Sequence, residues 1–409
     1  LASRENFALV RSQNVFDRHF EQAGLAFITD AQAKKLSGSQ LYPGDVLLNI
    51  TGDGITFGRT CIVMTEILPA CVNQHVAIIR VDRTKCDPRF LLSYLTHPSI
   101  KQYIEGFNSG GSRRAITKGH IESFVMPVPP LIEQTEIASI LSALDDKIEL
   151  NRRMNEMLEA MARAIFKDWF VDFGPTRAKM EGRAPYLAAD IWSLFPDRLD
   201  EEGKPEGWND HALDMLATQH TASVTPSSTP DEVFEHFSLP AYDAGKTPSE
   251  DRGDTIKSNK TRVPEGSILL SKLNPEIERV WLLQSSNGRS QVCSTEFLVF
   301  TPKANSNRPL LFGLFTEPSF RAMLQSMVTG TSKSHQRISP PALLGRQVLV
   351  GSNPMFTRYG EHVELLLDRV LANRAESRTL AATRDLLLPK LMSGEIRVKD
   401  AETLIEEVA

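Results

Sequence analysis

The chain contains one unit twice, and that repeat limits what it can fold into more than any other feature. With a shift of about 222 residues, Pro43–Asn49 falls over Glu265–Ser271, sharing the glycine and an apolar triplet, Val46-Leu47-Leu48 against Ile268-Leu269-Leu270. Val72–Ile79 falls over Cys293–Phe300, and Leu95–Ile100 over Phe315–Phe320 with its Pro-Ser pair kept. Gly110-Gly111-Ser112-Arg113 meets Gly330-Thr331-Ser332-Lys333, and Ile116-Thr117 meets Ile338-Ser339. Unrelated α+β stretches share single apolar triplets; they do not share five matches in one order with almost constant spacing.

Each copy has the same plan. Residues 1–127 and 208–352 hold short β-branched and aromatic runs broken by Gly, Pro, Asn and Asp, which predicts an irregular strand-rich domain in each. A helix follows each domain, one within 128–173 and one within 353–409, with 174–207 as connector. Pro129-Pro130 announces the first helix, which the pattern places from about Glu133 to Phe170. The second is placed from about Tyr359 to Leu388. Ile137, Leu141, Leu144, Ile148, Asn151, Asn155, Leu158, Ala162 and Ile165 alternate steps of four and three, an a/d seam. The shift carries that seam onto Val363, Leu366, Val370, Asn373, Ser377, Leu380, Arg384 and Leu387, so its polar middle recurs.

Two packings are open to such helices: each stripe on its own domain, or the two stripes on each other. Two copies in one chain favour the second, an antiparallel coiled coil about a pseudo-twofold axis. The expected fold is α+β, with two irregular domains alternating with two paired long helices. Leu141, Leu144, Ile148, Asn151, Val363, Leu366, Val370 and Asn373 are expected on the paired stripes, the two asparagines fixing register at a cost in stability.

Net charge, −5 overall, resolves by region. The first domain carries 14 basic and 11 acidic residues and the second 14 of each, while 128–207 carries 10 against 16 and 351–409 carries 8 against 10. Acidity therefore belongs to the helices and connector. Cationic groups cluster after equivalent Gly-rich turns: Arg113, Arg114 and Lys118 in one domain, Lys333, His335 and Arg337 in the other. Arg and Lys beside Gly and Ser can approach phosphates or reach base edges. Asn49, Thr51, Lys272 and Asn274 follow the equivalent Leu-Leu strands and are expected as neighbours of a DNA surface. A solvated basic loop explains either cluster alone, but not the recurrence of both.

The sequence carries no recognisable motif for chemistry. There is no GxxxxGK[ST] loop, and Gly52-Asp53-Gly54 followed by Gly58 breaks the dinucleotide pattern. Asn353-Pro354-Met355-Phe356 lacks the second proline of an amino-methyltransferase motif and reads as the turn opening the second helix. The nine histidines show no metal-ligand spacing. Asp145-Asp146 reads as a solvated helix face. Cys61, Cys71, Cys86 and Cys293 include no CxxC pair, and no apolar run approaches the roughly 18 residues of a membrane span. A cytoplasmic, non-catalytic protein without cofactor or metal is expected. The chain opens on Leu1, which the repeat places near Ser223, whereas the second copy starts near Trp208. About fifteen residues of the first copy are thus expected to be missing.

Pro127-Val128-Pro129-Pro130-Leu131-Ile132-Glu133-Gln134, followed by Ile137-Ala138 and Leu144-Asp145-Asp146-Lys147-Ile148, resembles the junction into the conserved helix of type I restriction-modification specificity subunits. Leu386–Ile396, containing Leu-Pro-Lys-Leu-Met-Ser-Gly, is similar to the ending of that family's second conserved helix. Gly44-Asp45-Val46-Leu47, Val72-Asn73-Gln74-His75 and the Gly-Ser-Arg turn at 111–113 resemble recurring features of its target-recognition domains. The second domain departs from these, with Ser294-Thr295 for the Asn-Gln pair and no Pro-Pro-Leu-x-Glu-Gln junction. The resemblance implies that each irregular domain reads half of a split, asymmetric DNA site, with the helices as spacer. A helix of about 38 residues spans ~57 Å, the length of ~17 base pairs of duplex. It also implies partners: double-stranded DNA, two methyltransferase (M) subunits and restriction/translocase (R) subunits, which bring S-adenosylmethionine, ATP and magnesium. Two readings from other classes stand beside it, a coiled-coil scaffold for protein partners and a self-contained DNA methyltransferase.

Overall fold

The computed structural model describes residues 6–52, 56–107, 114–286, 288–329 and 336–406. The chain folds into two compact units, residues 1–152 with 375–409, and residues 153–374. The long helices run over Leu131–Phe170 and Asn353–Ser393, longer at their ends than the seam alone predicts, and each gives one half to each unit. The second begins at the Asn-Pro of 353–354, where Pro sits within the first turn and lacks only an N–H that has no partner there. No helix among the described residues is long and apolar enough to cross a membrane.

The repeat is visible as topology. In the first unit Phe7–Val10 pairs antiparallel with Ala26–Ile28 and parallel with Ala70–Val72. In the second, Val233–Phe237 pairs antiparallel with Ser249–Arg252 and parallel with Ser290–Cys293. A second sheet follows the same rule. Val46–Asn49 lies between Thr60–Ile62 and Val76–Ile79, both antiparallel. Ile268–Ser271 lies likewise between Val280–Leu282 and Phe297–Pro302. The second unit adds strands: Ala217–His220 on Phe297–Pro302, and Lys260–Arg262 on Ser290–Cys293.

Two short helices follow each sheet, each with proline in its first turn behind an extended cap residue. Pro88–Leu95 is capped by Asp87 and Pro98–Gly106 by His97; Arg308–Thr316 is capped by Asn307 and followed by Pro318–Ser326. The cap side chains accept from otherwise unpaired first-turn N–H groups, which is why Asp, His and Asn stand there.

Within each unit the helix halves pack on the domain and on each other, so both packings open to the sequence are used. In the first, Ile137, Ala138, Leu141 and Leu144 share a core with Leu380, Leu387, Leu388 and Leu391, and Phe90 of the domain joins them. In the second, Ala162, Phe166, Trp169 and Phe170 share a core with Met355, Phe356, Tyr359, Val363 and Leu367. Early residues of one helix meet late residues of the other in both units, so the paired halves are antiparallel. Trp169 and Phe170 pack edge-on against Tyr359, with centroids 5.8 and 5.1 Å apart, a geometry that aligns ring edges with ring faces. Gly313, on the helix Arg308–Thr316, lies so close to the Phe166 ring that a Cβ there would fall inside it. Gly313→Ala is therefore expected to destabilise this unit by about 1–3 kcal/mol through overpacking, read as a lowered denaturation midpoint.

Candidate nucleic-acid interface

The strand carrying the Leu-Leu pair leads in each unit to one backbone frame, built three times over from equivalent bonds. Ile50 donates its N–H to the carbonyl of His75 at 3.0 Å, and Lys272 does the same to Glu296 at 2.9 Å. Ile116 donates to Ile50 at 3.0 Å, and Ile338 to Lys272 at 3.1 Å. Asn73 donates to Val10 at 3.0 Å, and Ser294 to Phe237 at 2.9 Å. Inside the turn, the Asn73 side-chain oxygen accepts from the His75 N–H, and the Ser294 hydroxyl accepts from the Glu296 N–H. Asn and Ser both close such turns with their own side chains, so the lost Asn-Gln pair leaves the backbone unchanged. Gln74 and Thr295 are exposed, while His75 and Glu296 are half-buried.

Most expected DNA-side residues stand on this frame. Thr51 lies opposite Ala115, and its hydroxyl bonds His75 Nδ1 at 2.6 Å. Arg114 lies opposite Gly52 and pairs with Glu105 at 3.2 Å. Lys118, in the first turn of the helix Lys118–Glu122, is exposed and pairs with Glu122 at 3.4 Å. In the second unit Lys272 and Asn274 are half-buried. Asn274 holds φ 50°, a left-handed conformation that Asn tolerates better than most residues, and donates its N–H to Gln336. Arg337 gives Nε and Nη2 to the Glu296 carboxylate at 3.0 and 2.9 Å, which raises the guanidinium pKa further above its ordinary value. Two parallel N–H···O bonds of this kind set the plane of the guanidinium. Arg113, Lys333 and His335 lie outside the described residues.

One expectation is corrected. Asn49 is fully buried, and its amide donates to the Ser12 and Thr56 carbonyls at 3.0 Å each. It ties two loops to the central strand from inside the domain and presents nothing to a partner. Asp145 also departs from the solvated face expected of it; Asp146 beside it is exposed. Asp145 Oδ1 accepts from Arg384 at 2.6 Å, and its other oxygen pairs with Arg18.

Of the helix residues singled out, Leu141, Leu144, Asn151, Val363, Val370 and Asn373 are buried. Ile148 and Leu366 are half-buried, and Leu367 takes the fully buried place beside Leu366. The two asparagines make equivalent contacts. Asn151 Nδ2 donates to Ser377 at 3.3 Å and to Glu376 at 2.8 Å, and Asn373 Nδ2 donates to Asn155 at 2.9 Å. Ser377 is the residue onto which the repeat places Asn155.

Spacing alone gave no signal for the ties between domain and helices. Arg18 holds φ 62° and Lys246 φ 58°, a conformation costly to residues with a Cβ. Each aims its charge at a carboxylate on the first long helix that an arginine of the second also holds. Arg18 and Arg384 share Asp145; Lys246 and Arg374 share Glu159, at 3.3 and 2.6 Å. Burial pulls the pKa of both Arg18 and Lys246 below the ordinary value, and the shared carboxylate opposes that pull. At the junction Gln134 is fully buried: its oxygen accepts from the Asp87 N–H at 3.0 Å, and its nitrogen donates to Lys85 and Pro129 carbonyls at 2.9 and 2.8 Å.

Each unit thus joins one strand-rich copy, with a basic return strand, to paired helix halves. The family described as "Type I restriction modification DNA specificity domain" matches residues 23–160. The HindI specificity subunit of Haemophilus influenzae is 24% identical over 446 aligned positions, which cover 96% of this chain and 94% of that one. The MjaIX specificity subunit of Methanocaldococcus jannaschii is 23% identical over 74% of this chain and 67% of its own. Among solved structures, an S subunit from M. genitalium covers 95% of this chain and 88% of its own at 13% identity, with a TM-score of 0.48. Over nearly its whole length the chain is thus similar to specificity subunits of type I restriction-modification systems.

Proposed function

We propose that this chain reads a bipartite, asymmetric DNA site, one half with each strand-rich domain, and recruits two methyltransferase subunits and restriction/translocase subunits to it. The observation that carries the reading is the frame itself: the same hydrogen bonds occur in both units, with different side chains mounted on them. A device for reading two different half-sites needs a constant support and variable contacts. Thr51, Arg113, Arg114 and Lys118 serve one half-site; Lys272, Asn274, Lys333, His335 and Arg337 serve the other. The long helices, each 40 or 41 residues, act as the spacer at ~1.5 Å per residue, and their acidic faces suit protein partners better than DNA.

The test is a map of modified bases in genomic DNA from cells carrying this gene with its methyltransferase partner, and from cells lacking only this gene. A split motif that vanishes with the gene is expected; a modification pattern indifferent to the gene overturns the reading. In the purified complex, Arg113→Ala is expected to weaken target binding by about 1–3 kcal/mol while partner assembly is retained. Target binding equal to the parent would remove Arg113 from the DNA surface.

A further inference from the structure

The two turns that close the frame, Asn73–Val76 and Ser294–Phe297, match bond for bond. Val76 donates its N–H back to the Asn73 carbonyl, and Phe297 to that of Ser294, at 3.3 and 2.9 Å. Their exposure also runs in parallel: half-buried, exposed, half-buried, buried. The third residue of each is held by a side-chain cap on its own N–H and by the strand end on its carbonyl. Its backbone is therefore fixed, and only its side chain differs. In the first unit it is His75, bonded through Nδ1 to Thr51. In the second it is Glu296, clasping Arg337. Arg337 stands where the repeat places Ala115, a side chain that can make neither contact.

We infer that this turn position determines specificity in both units: His75 by meeting a base edge in one half-site, and Glu296 by orienting Arg337 in the other. The inference rests on the split-site reading and adds residues to it. An imidazole fixed through Nδ1 presents its Nε2 edge in a set direction, beside the exposed Gln74 amide at 3.4 Å, a long contact that a base edge can displace. A guanidinium held by a carboxylate on Nε and Nη2 has its plane set, and rigid guanidinium planes favour guanine, whose O6 and N7 accept a paired contact. Arg337 touches the DNA in this scheme; Glu296 is a positioning residue. Fixing the plane in advance lowers the ordering cost when Arg337 meets its base.

The experiment uses the full chain co-expressed with its methyltransferase partner in a host free of that modification, with modified bases mapped genome-wide. Glu296→Gln keeps shape and one acceptor but loses the charge that clasps Arg337; Arg337→Lys keeps charge but loses the planar fork. Both are expected to relax the same single base pair of one half-site, a guanine in the parent motif, by roughly 5- to 150-fold in preference. The other half should be unchanged. His75→Asn is expected to relax a base pair in the opposite half only. Unchanged motifs in all three variants overturn the inference, as does relaxation of both halves together or uniform loss of modification without a change of motif. If the parent itself yields no split motif, the underlying reading fails, and the parent sample alone shows it.

Discussion

Asp145→Ala is expected to destabilise the unit formed by residues 1–152 and 375–409 by about 3–5 kcal/mol, the cost of leaving buried charge uncompensated. The Asp145 carboxylate serves two guanidiniums at once, and the Arg18 and Arg384 side chains keep only 8% and 13% of their surface exposed. Without it, Arg384 retains Asp385 at 2.8 Å, and Arg18 retains the neutral Ser93 carbonyl at 3.3 Å. Two cations would then face each other in a desolvated place, and Arg18 would still hold its left-handed backbone. Hydrogen exchange of the helix amides from 137 to 148 reads the loss locally. The double variant Asp145→Ala, Arg18→Met is expected to recover a large part of it, because it removes one uncompensated charge along with the carboxylate. If the single variant exchanges like the parent, the tie between this domain and its helices lies elsewhere.

The repeat, the two long helices and their antiparallel pairing were legible because each leaves a periodic trace along the chain. Helical apolar residues recur at steps of three and four, and a duplicated unit recurs at a fixed shift. The ties were not legible. Arg18 meets Asp145 and Lys246 meets Glu159 across long stretches of chain, and neither cation carries a local signal of its left-handed backbone. The misplaced Asn49 has a similar cause. Val46–Asn49 is buried on both faces, so the alternation that sorts inside from outside in a half-exposed strand is absent. A polar residue at its end then passes for a surface group. For the basic clusters the sequence showed the cations but not their carboxylates: Glu105 and Glu296 reach Arg114 and Arg337 only after folding.

The junction into each long helix shows how two sequences can solve one packing problem, and it supports the second large prediction. In the first unit the helix reaches back: Gln134 occupies the Asp87 N–H and the Lys85 and Pro129 carbonyls with one amide. In the second the domain reaches forward: Asn307 caps its own helix through Oδ1 and donates Nδ2 to the Phe356 carbonyl at 2.7 Å. Gly360 makes room for this, since a Cβ there would stand 2.7 Å from the Asn307 nitrogen. The second junction can therefore lack Pro-Pro-Leu-x-Glu-Gln and still be fixed. Gln134→Ala is expected to cost about 2–4 kcal/mol, because it strands buried backbone groups as well as losing their bonds. Gln134→Glu should cost at least as much: a carboxylate can accept from Asp87, but it cannot donate to the two carbonyls and would face them as a buried negative charge. Denaturant midpoints of both variants check this, with Asn307→Ala as the counterpart in the second unit. Were Gln134→Glu as stable as the parent, two donated bonds could not be what holds the helix to the domain, and the burial of Ile137 and Leu141 beside Phe90 would have to hold it alone.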